Sequence, residues 1–386
     1  MAYVISNTTN QNGTTPIPAT SRPLDGGEEW LPPFHLFLEI VEAAIIIVAL
    51  VCNIVVVYAF IGYKKLRTRV TNYFVISLAV SDILTTGLVT AFKLDSDVSD
   101  KWKHGEFMCN LYTTMYLLAV PSSVINLCVV TVDRYLVLRM PLRYNSLMPP
   151  HRAVLIISCL WIYAIIWACL PVMGWKEDIP AIFNGNCYFL STREYNITVN
   201  IVNFLVPMIF MAVFWSRIYA IVLHHIKRTI KTDQFLNTND SSNIGNIHCT
   251  DQDAPPNLLT LASKENKQKK KMRRRFRGSR YIGFIVMLFY FCWLPYVTLS
   301  LIGNMCTEQV YIPRVLSEVF LTLGFLNSAL NPFLYPFHDK HFKGAFRDMW
   351  KRVRTKSLLK NICPKEEVRK KVSKQRSCTR ETHLGV

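Results

Sequence analysis

Ionisable side chains interrupt long apolar stretches of this chain, among them Asp82 in "ISLAVSDIL" and the adjacent Asp133 and Arg134 in "VVTVDRYLVLRMP". A carboxylate or guanidinium among apolar neighbours is costly to desolvate, so each needs a partner, a cation or water. The chemistry open to them is charge pairing, cation coordination and exchange of partners rather than bond making. The nine histidines and 26 acids show no metal-ligand or nucleophile–base spacing, so no enzyme constellation is present.

The elements that must position these groups are long. Of 386 residues 51% are hydrophobic, and they gather into seven blocks: 38–61, 73–92, 107–132, 153–174, 197–223, 281–303 and 311–337. Each approaches or exceeds the ~20 residues with which an α-helix crosses ~30 Å of hydrocarbon. The expected fold is therefore an all-α membrane protein with seven spans (37–338). A short amphipathic helix (339–352) and a tail (353–386) follow.

Orientation follows from Lys and Arg. Lys64, Lys65, Arg67 and Arg69 fill the first short connection, and Arg139, Arg143 and Arg152 follow span three. "KENKQKKKMRRRFRGSR" ends the connection 225–277, and the tail is basic. The connections after spans two, four and six mix signs. The N-terminus is thus expected outside and the C-terminus in the cytoplasm, in the plasma membrane. The net charge of +18 reads as topology plus attraction to anionic lipid. Nucleic acid is not an expected partner, because no groove-reading or stacking module accompanies the basic runs.

Residues 1–36 are polar and rich in Pro, Gly and Thr, as in an outer disordered segment, with glycosylation sequons at Asn7 and Asn12; a third falls at Asn196. Among eleven cysteines, Cys109 at the outer mouth of span three and Cys187 in the second outer connection both face the oxidising side, so a disulfide is expected. Cys363, after the amphipathic run, is a candidate for palmitoylation.

Cys109 and Arg134 are 25 residues apart, about 37 Å along a straight helix. Arg134 then sits at the inner mouth of the bundle. Snorkelling to the headgroups would explain a lone Arg there, but not the Asp before it and the Tyr after it. Further polar or helix-bending residues recur in other spans: Asn53, "FYFCWLPY" with Trp293 and Pro295, and "FLNSALNPFLYPF" with Asn327, Asn331, Pro332 and Tyr335.

In this order and spacing the pattern resembles the rhodopsin-like (class A) G-protein-coupled receptors. It comprises Asn53, "LAVSD" with Asp82, Cys109 with "DRY", Trp161, Pro207, "CWLP" and "NPFLY", and it covers roughly residues 37–352. The resemblance implies a coupling switch of Asp133, Arg134, Tyr135 and Tyr335, in which Arg134 is freed to contact Gα when span six swings outward. It implies activation residues Phe289, Trp293, Pro295 and Pro332. It also implies a sodium pocket of Asp82, Ser123, Asn327 and Asn331, in which Na⁺ favours the inactive state; a hydrated polar network is the bland alternative. No other cofactor is required. The implied partners are heterotrimeric G proteins, arrestin, receptor kinases and membrane lipid. Kinase sites are expected among Ser279, Ser357, Ser373, Ser377 and Thr379.

Two positions depart from the family. Trp215 stands eight residues past Pro207, where members usually carry Tyr. Arg275 stands where many carry an acid that clamps the Arg. A weakly latched resting state, with ligand-free signalling, is expected. Amine receptors also anchor the ammonium on an Asp seven residues after the span-three cysteine; here that residue is Tyr116. The expected pocket is Tyr112, Tyr116, Leu117, Val120, Phe189, Asn200, Asn203, Tyr296, Ser300, Leu321 and Phe325. It is aromatic, amide-bearing and uncharged, which suits a small neutral or weakly polar ligand. Acids at the rim (Glu39, Glu42, Asp95, Asp97, Glu318) leave an unconventionally held amine open. A nucleoside, a lipid and a short peptide are further alternatives.

The rival to a ligand-activated receptor is a receptor-like protein without its own diffusible ligand, acting through basal activity or by pairing with another receptor. A transporter or channel is disfavoured by the absence of internal symmetry and paired broken helices.

Overall fold

A computed structural model describes residues 32–176, 180–183, 185–188, 191–242, 283–284, 286–306, 312–338 and 340–362. Asn7, Asn12, Phe189, Arg275 and Cys363 lie outside them.

The first apolar block forms α1 (Pro32–Gly62), and the basic connection coils once as α2 (Lys64–Arg67). Span two is α3 (Thr71–Leu84), a π turn (Thr85–Thr90) and α4 (Ala91–Val98). Span three is α5 (Gly105–Arg139), and a single turn, α6 (Tyr144–Leu147), lies in the second inner loop. Span four, α7 (Pro150–Cys169), begins with Pro at its first position, where the missing N–H costs no helical bond. Span five is α8 (Arg193–Asn200), capped by the Thr192 side chain, then a π turn (Ile201–Leu205) and α9 (Val206–Ser242). Span six is α10 (Val286–Met305) and span seven α11 (Arg314–His338).

Six of these spans are long and apolar enough to cross a bilayer. The seventh, α11, has the length, 25 residues or about 37 Å. It is more polar because it carries Thr322, Asn327, Ser328 and Asn331, and all four are buried. Its polar face turns into the bundle, where hydrogen-bond partners exist, so lower hydropathy and membrane residence are compatible. Of these six, span three is the most buried and span four the least.

Side-chain bonds fix neighbours at depth. Asn53 donates to the Ala49 and Ser328 carbonyls, joining spans one and seven, and Trp161 donates to Ser77 Oγ, joining spans four and two. Outside, β1 (Ile182–Phe183) and β2 (Asn186–Cys187) form a hairpin whose turn uses Gly185 at φ +79°. The Cys109–Cys187 disulfide ties this hairpin to span three.

Several boundaries differ from expectation. The helix of span five continues to Ser242, through residues read as the start of a loop. At 37 residues α9 reaches about 55 Å, more than the hydrocarbon needs. Beyond residue 338 the chain forms a separate unit with α12 (Lys340–Ile362), which ends ten residues beyond the expected 339–352. Within α12, Phe342 and Phe346 pair at 5.9 Å one turn apart, as (i, i+4) aromatics on one face do.

Candidate functional site

At the inner end of span three, Asp133 is wholly buried and three groups address it. Thr71 of span two donates to Oδ2 over 2.8 Å and Tyr144 of the second inner loop donates to Oδ1 over 2.6 Å. Arg134 Nη2 lies 3.3 Å from Oδ2. Burial and the negative charge of Asp133 push the Tyr144 phenol above its ordinary range, so Tyr144 remains a donor at neutral pH. The Arg134 side chain is 11% exposed, and its Nε is buried without a hydrogen-bond partner. The guanidinium is thus covered and only partly satisfied, as a group poised to change partners would be. Tyr135 meets Phe214 of span five edge-on at 5.3 Å and packs on a cluster of Leu138, Ile218 and Val222. The Tyr335 side chain lies outside the described residues.

At mid-bundle, Asp82 is wholly buried. Ser123 and Ser328 donate to Oδ1 over 3.3 and 2.9 Å, and Asn331 Nδ2 donates to Oδ2 over 2.9 Å. No cationic side chain among the described residues pairs with it. The Oδ1 atoms of Asn327, Asn331 and Asn53 are buried without hydrogen-bond partners. Of the four residues expected here, three are joined directly. Asn327 is buried next to Ser328 in sequence, but no bond joins it to Asp82. Ser328, which does bond to Asp82, was not among the residues expected here. Its signal is helical spacing, since Ser328 and Asn331 are three apart and share a face.

Further out, a cavity opens between spans three, five and six. Tyr112, Thr113, Tyr116 and Leu117 form one wall and Asn196, Val199, Asn200 and Phe204 the second. Tyr296 and Ser300 close it. Asn200 Nδ2 donates to Ser300 Oγ over 3.1 Å, and the Tyr116 and Tyr296 hydroxyls are 3.4 Å apart. Among the described residues, the wall carries no carboxylate, ammonium or guanidinium. Its lining continues to Trp293, one of the residues expected to act in activation: Phe204 meets Trp293 at 5.5 Å, and Trp293 meets Tyr296 at 6.2 Å. A Cβ on Gly324 of span seven would come within 3.1 Å of the Trp293 ring, so this glycine gives the indole its seat. Phe289 is fully buried one turn further in. Pro295 and Pro332 lie within helices that run on through them.

Several expected pocket residues are elsewhere. Val120, Leu321 and Phe325 are buried but off this wall. Asn203 is the clearest correction: its Oδ1 accepts from Tyr163 of span four over 2.9 Å. It lies in the π turn, where the extra residue changes which side chains face inward. Asn196, the third sequon, lies on the cavity wall, its amide bonded at both ends to Ser191.

The rim acids are mostly committed. Lys93 of span two is 4% exposed, and its Nζ lies 2.7 Å from Glu42 Oε1 of span one and 2.6 Å from Asp97 Oδ2. Thr322 of span seven donates to the same Glu42 oxygen. Asp95 lies 2.8 Å from His104, and Glu318 lies 3.7 Å from His35.

With this geometry in place, comparison with known proteins is decisive. The model of the 7 transmembrane receptor (rhodopsin family) matches residues 52–335. The chain belongs to this receptor family. Among its relatives, the D(1A) dopamine receptor of Xenopus laevis is 30% identical over 327 residues, covering 80% of this chain and 70% of the relative. The D(1)-like dopamine receptor of Takifugu rubripes is 31% identical, covering 78% and 67%. The alpha-1A adrenergic receptor of Oryctolagus cuniculus is 26% identical, covering 82% and 68%. The protein is thus a rhodopsin-family receptor of the multi-pass membrane class and not an enzyme.

Proposed function

We propose that this receptor binds a small neutral or weakly polar ligand in the cavity between spans three, five and six, and signals through Arg134 to heterotrimeric G proteins. The carrying observation is that one helix serves both ends. Span three supplies Tyr112 and Tyr116 to the cavity and Asp133 and Arg134 to the inner rim. Tyr116 and Arg134 are about 27 Å apart along it. Trp293, in contact with the cavity residues Phe204 and Tyr296, is the route by which occupancy reaches the inner part of span six.

The relatives named above are dopamine and adrenergic receptors, so a protonated amine is the competing ligand class. The uncharged wall speaks against it, and the rim acids Glu42 and Asp97 already share Lys93. Moving a two-state bundle from 1:99 to 99:1 takes about 5.5 kcal/mol of differential affinity. A neutral hydrogen bond contributes about 1 kcal/mol, so the Asn200–Ser300 edge needs apolar burial against Tyr116, Phe204 and Tyr296 beside it.

In the same reading Na⁺ is the allosteric ion. Asp82, Ser123 and Ser328, with the unpartnered amide oxygens of Asn327 and Asn331, supply hard oxygen donors that suit it. Its charge would offset a buried carboxylate that has no cationic partner among the described residues. The basic inner connections support a plasma-membrane protein with its N-terminus outside, and arrestin and receptor kinases as further partners.

The test is a ligand library screened on surface-displayed receptor with G-protein dissociation as readout, beside Arg134→Ala. Neutral aromatic or amide ligands are expected to act, and Arg134→Ala to abolish the response. Activity confined to protonated amines would overturn the ligand class. A response untouched by Arg134→Ala would overturn the coupling route.

A further inference from the structure

Span six brings no acid to Arg134 among its described residues, but its inner end meets span five closely. The indole of Trp215, in span five, lies against the backbone of Gly283, in the helical stretch that leads into span six; a Cβ built on Gly283 would overlap the edge of the six-membered ring at Cζ2. Glycine inside a helix costs stability relative to alanine, so its presence here has to be matched by something, and the indole filling its missing side chain does so. Trp215 also packs on the cluster of Leu138, Ile218 and Val222, together with Tyr135, the neighbour of Arg134. One half-buried ring therefore touches the inner ends of spans three, five and six.

We infer that Trp215 is a positioning residue for G-protein coupling: seated in the Gly283 notch, it holds span six over Arg134, and the inner face opens only when it is unseated. The geometry is selective because the notch accepts the flat ring only while residue 283 has no side chain. Any movement of span six away from spans three and five separates the ring from glycine and opens a gap that no described side chain fills. This apolar seat does the work that an acid on span six would do by charge. It is independent of ionic strength, whereas an exposed ion pair would be screened by salt. The inference rests on the proposed coupling through Arg134, but the state of the latch has its own readout.

The experiment compares wild type, Gly283→Ala, Trp215→Ala and the double variant Gly283→Ala/Trp215→Val at matched surface levels. Two quantities are measured: ligand-free G-protein activation, and the distance distribution between spin labels on the inner ends of spans three and six in purified receptor. Each single variant is expected to raise ligand-free activation several-fold and to populate a longer distance. The double variant, in which a small side chain meets the new methyl group, is expected to return both towards wild type. Should Gly283→Ala fail to reach the surface, Trp215→Ala carries the same expectation. Unchanged distances in the single variants, or a double variant no more closed than they are, would overturn the latch. Longer distances with no G-protein activation by any variant would leave the latch standing and overturn the coupling reading.

Discussion

The phenol of Tyr144 donates its proton to Asp133 across 2.6 Å, joining the second inner loop to the end of span three. Thr71 holds the other carboxylate oxygen, so the acid beside Arg134 is fixed from two directions before the arginine is considered. Tyr144→Phe removes one of these donors from a buried carboxylate, a loss of about 1–3 kcal/mol. The expected result is a lower thermal unfolding temperature and faster hydrogen exchange across residues 140–148. Because the phenol is pushed up, its bond adds stability at every pH below the ordinary tyrosine range and is lost only as pH rises above it. The difference between wild type and Tyr144→Phe should therefore stay flat from about pH 6 to pH 9.

Asp82 lies at the meeting point of spans two, three and seven, with Ser123, Ser328 and Asn331 as donors. If Na⁺ occupies this pocket and favours the closed packing, replacing choline by Na⁺ should lower ligand-free nucleotide exchange on the G protein. A coupling on the order of 1 kcal/mol corresponds to about fivefold. Asp82→Asn should abolish the difference between the two salts. An equal Na⁺ effect in both proteins would place the ion elsewhere.

Lys93 is enclosed by Glu42 and Asp97, with side-chain exposures of 5%, 3% and 29%. Lys93→Met leaves Glu42 buried without its cation, and breaking such a pair typically costs 3–5 kcal/mol. Surface display and thermal stability should fall sharply. The double variant Lys93→Met/Glu42→Gln should recover much of the loss, because the stranded charge is gone. A double variant as unstable as the single one would show that packing of the lysine stem, not charge, dominates.

The spans were legible because apolar length is a local property, and Asp82 with Ser123 and Asn331 was legible because the depth of each follows from its place along a helix. Lys93 was not. Read along the chain, a lysine followed by Asp95 and Asp97 marks the end of an apolar block, so span two was expected to stop at residue 92. The helix runs to Val98 because Glu42, 51 residues earlier in the chain, arrives to neutralise the charge. Thr71 and Tyr144 were missed for the same reason: a hydroxyl in a polar segment carries no sign of the carboxylate it will meet. Asn203 failed differently. A regular helix would have turned it to the cavity, but the π turn at Ile201–Leu205 gives it to Tyr163.

In the proposed function Arg134, covered beside Asp133 in this packing, is the group that an inner partner reads once the bundle opens. Nucleotide exchange on purified heterotrimeric G proteins, driven by receptor in lipid nanodiscs, tests it most directly. Wild type should accelerate exchange on at least one Gα class, and Asp133→Asn, which loosens the pair, should accelerate it further. Arg134→Ala should show none above the receptor-free rate. Exchange by Arg134→Ala equal to that of wild type would contradict the account.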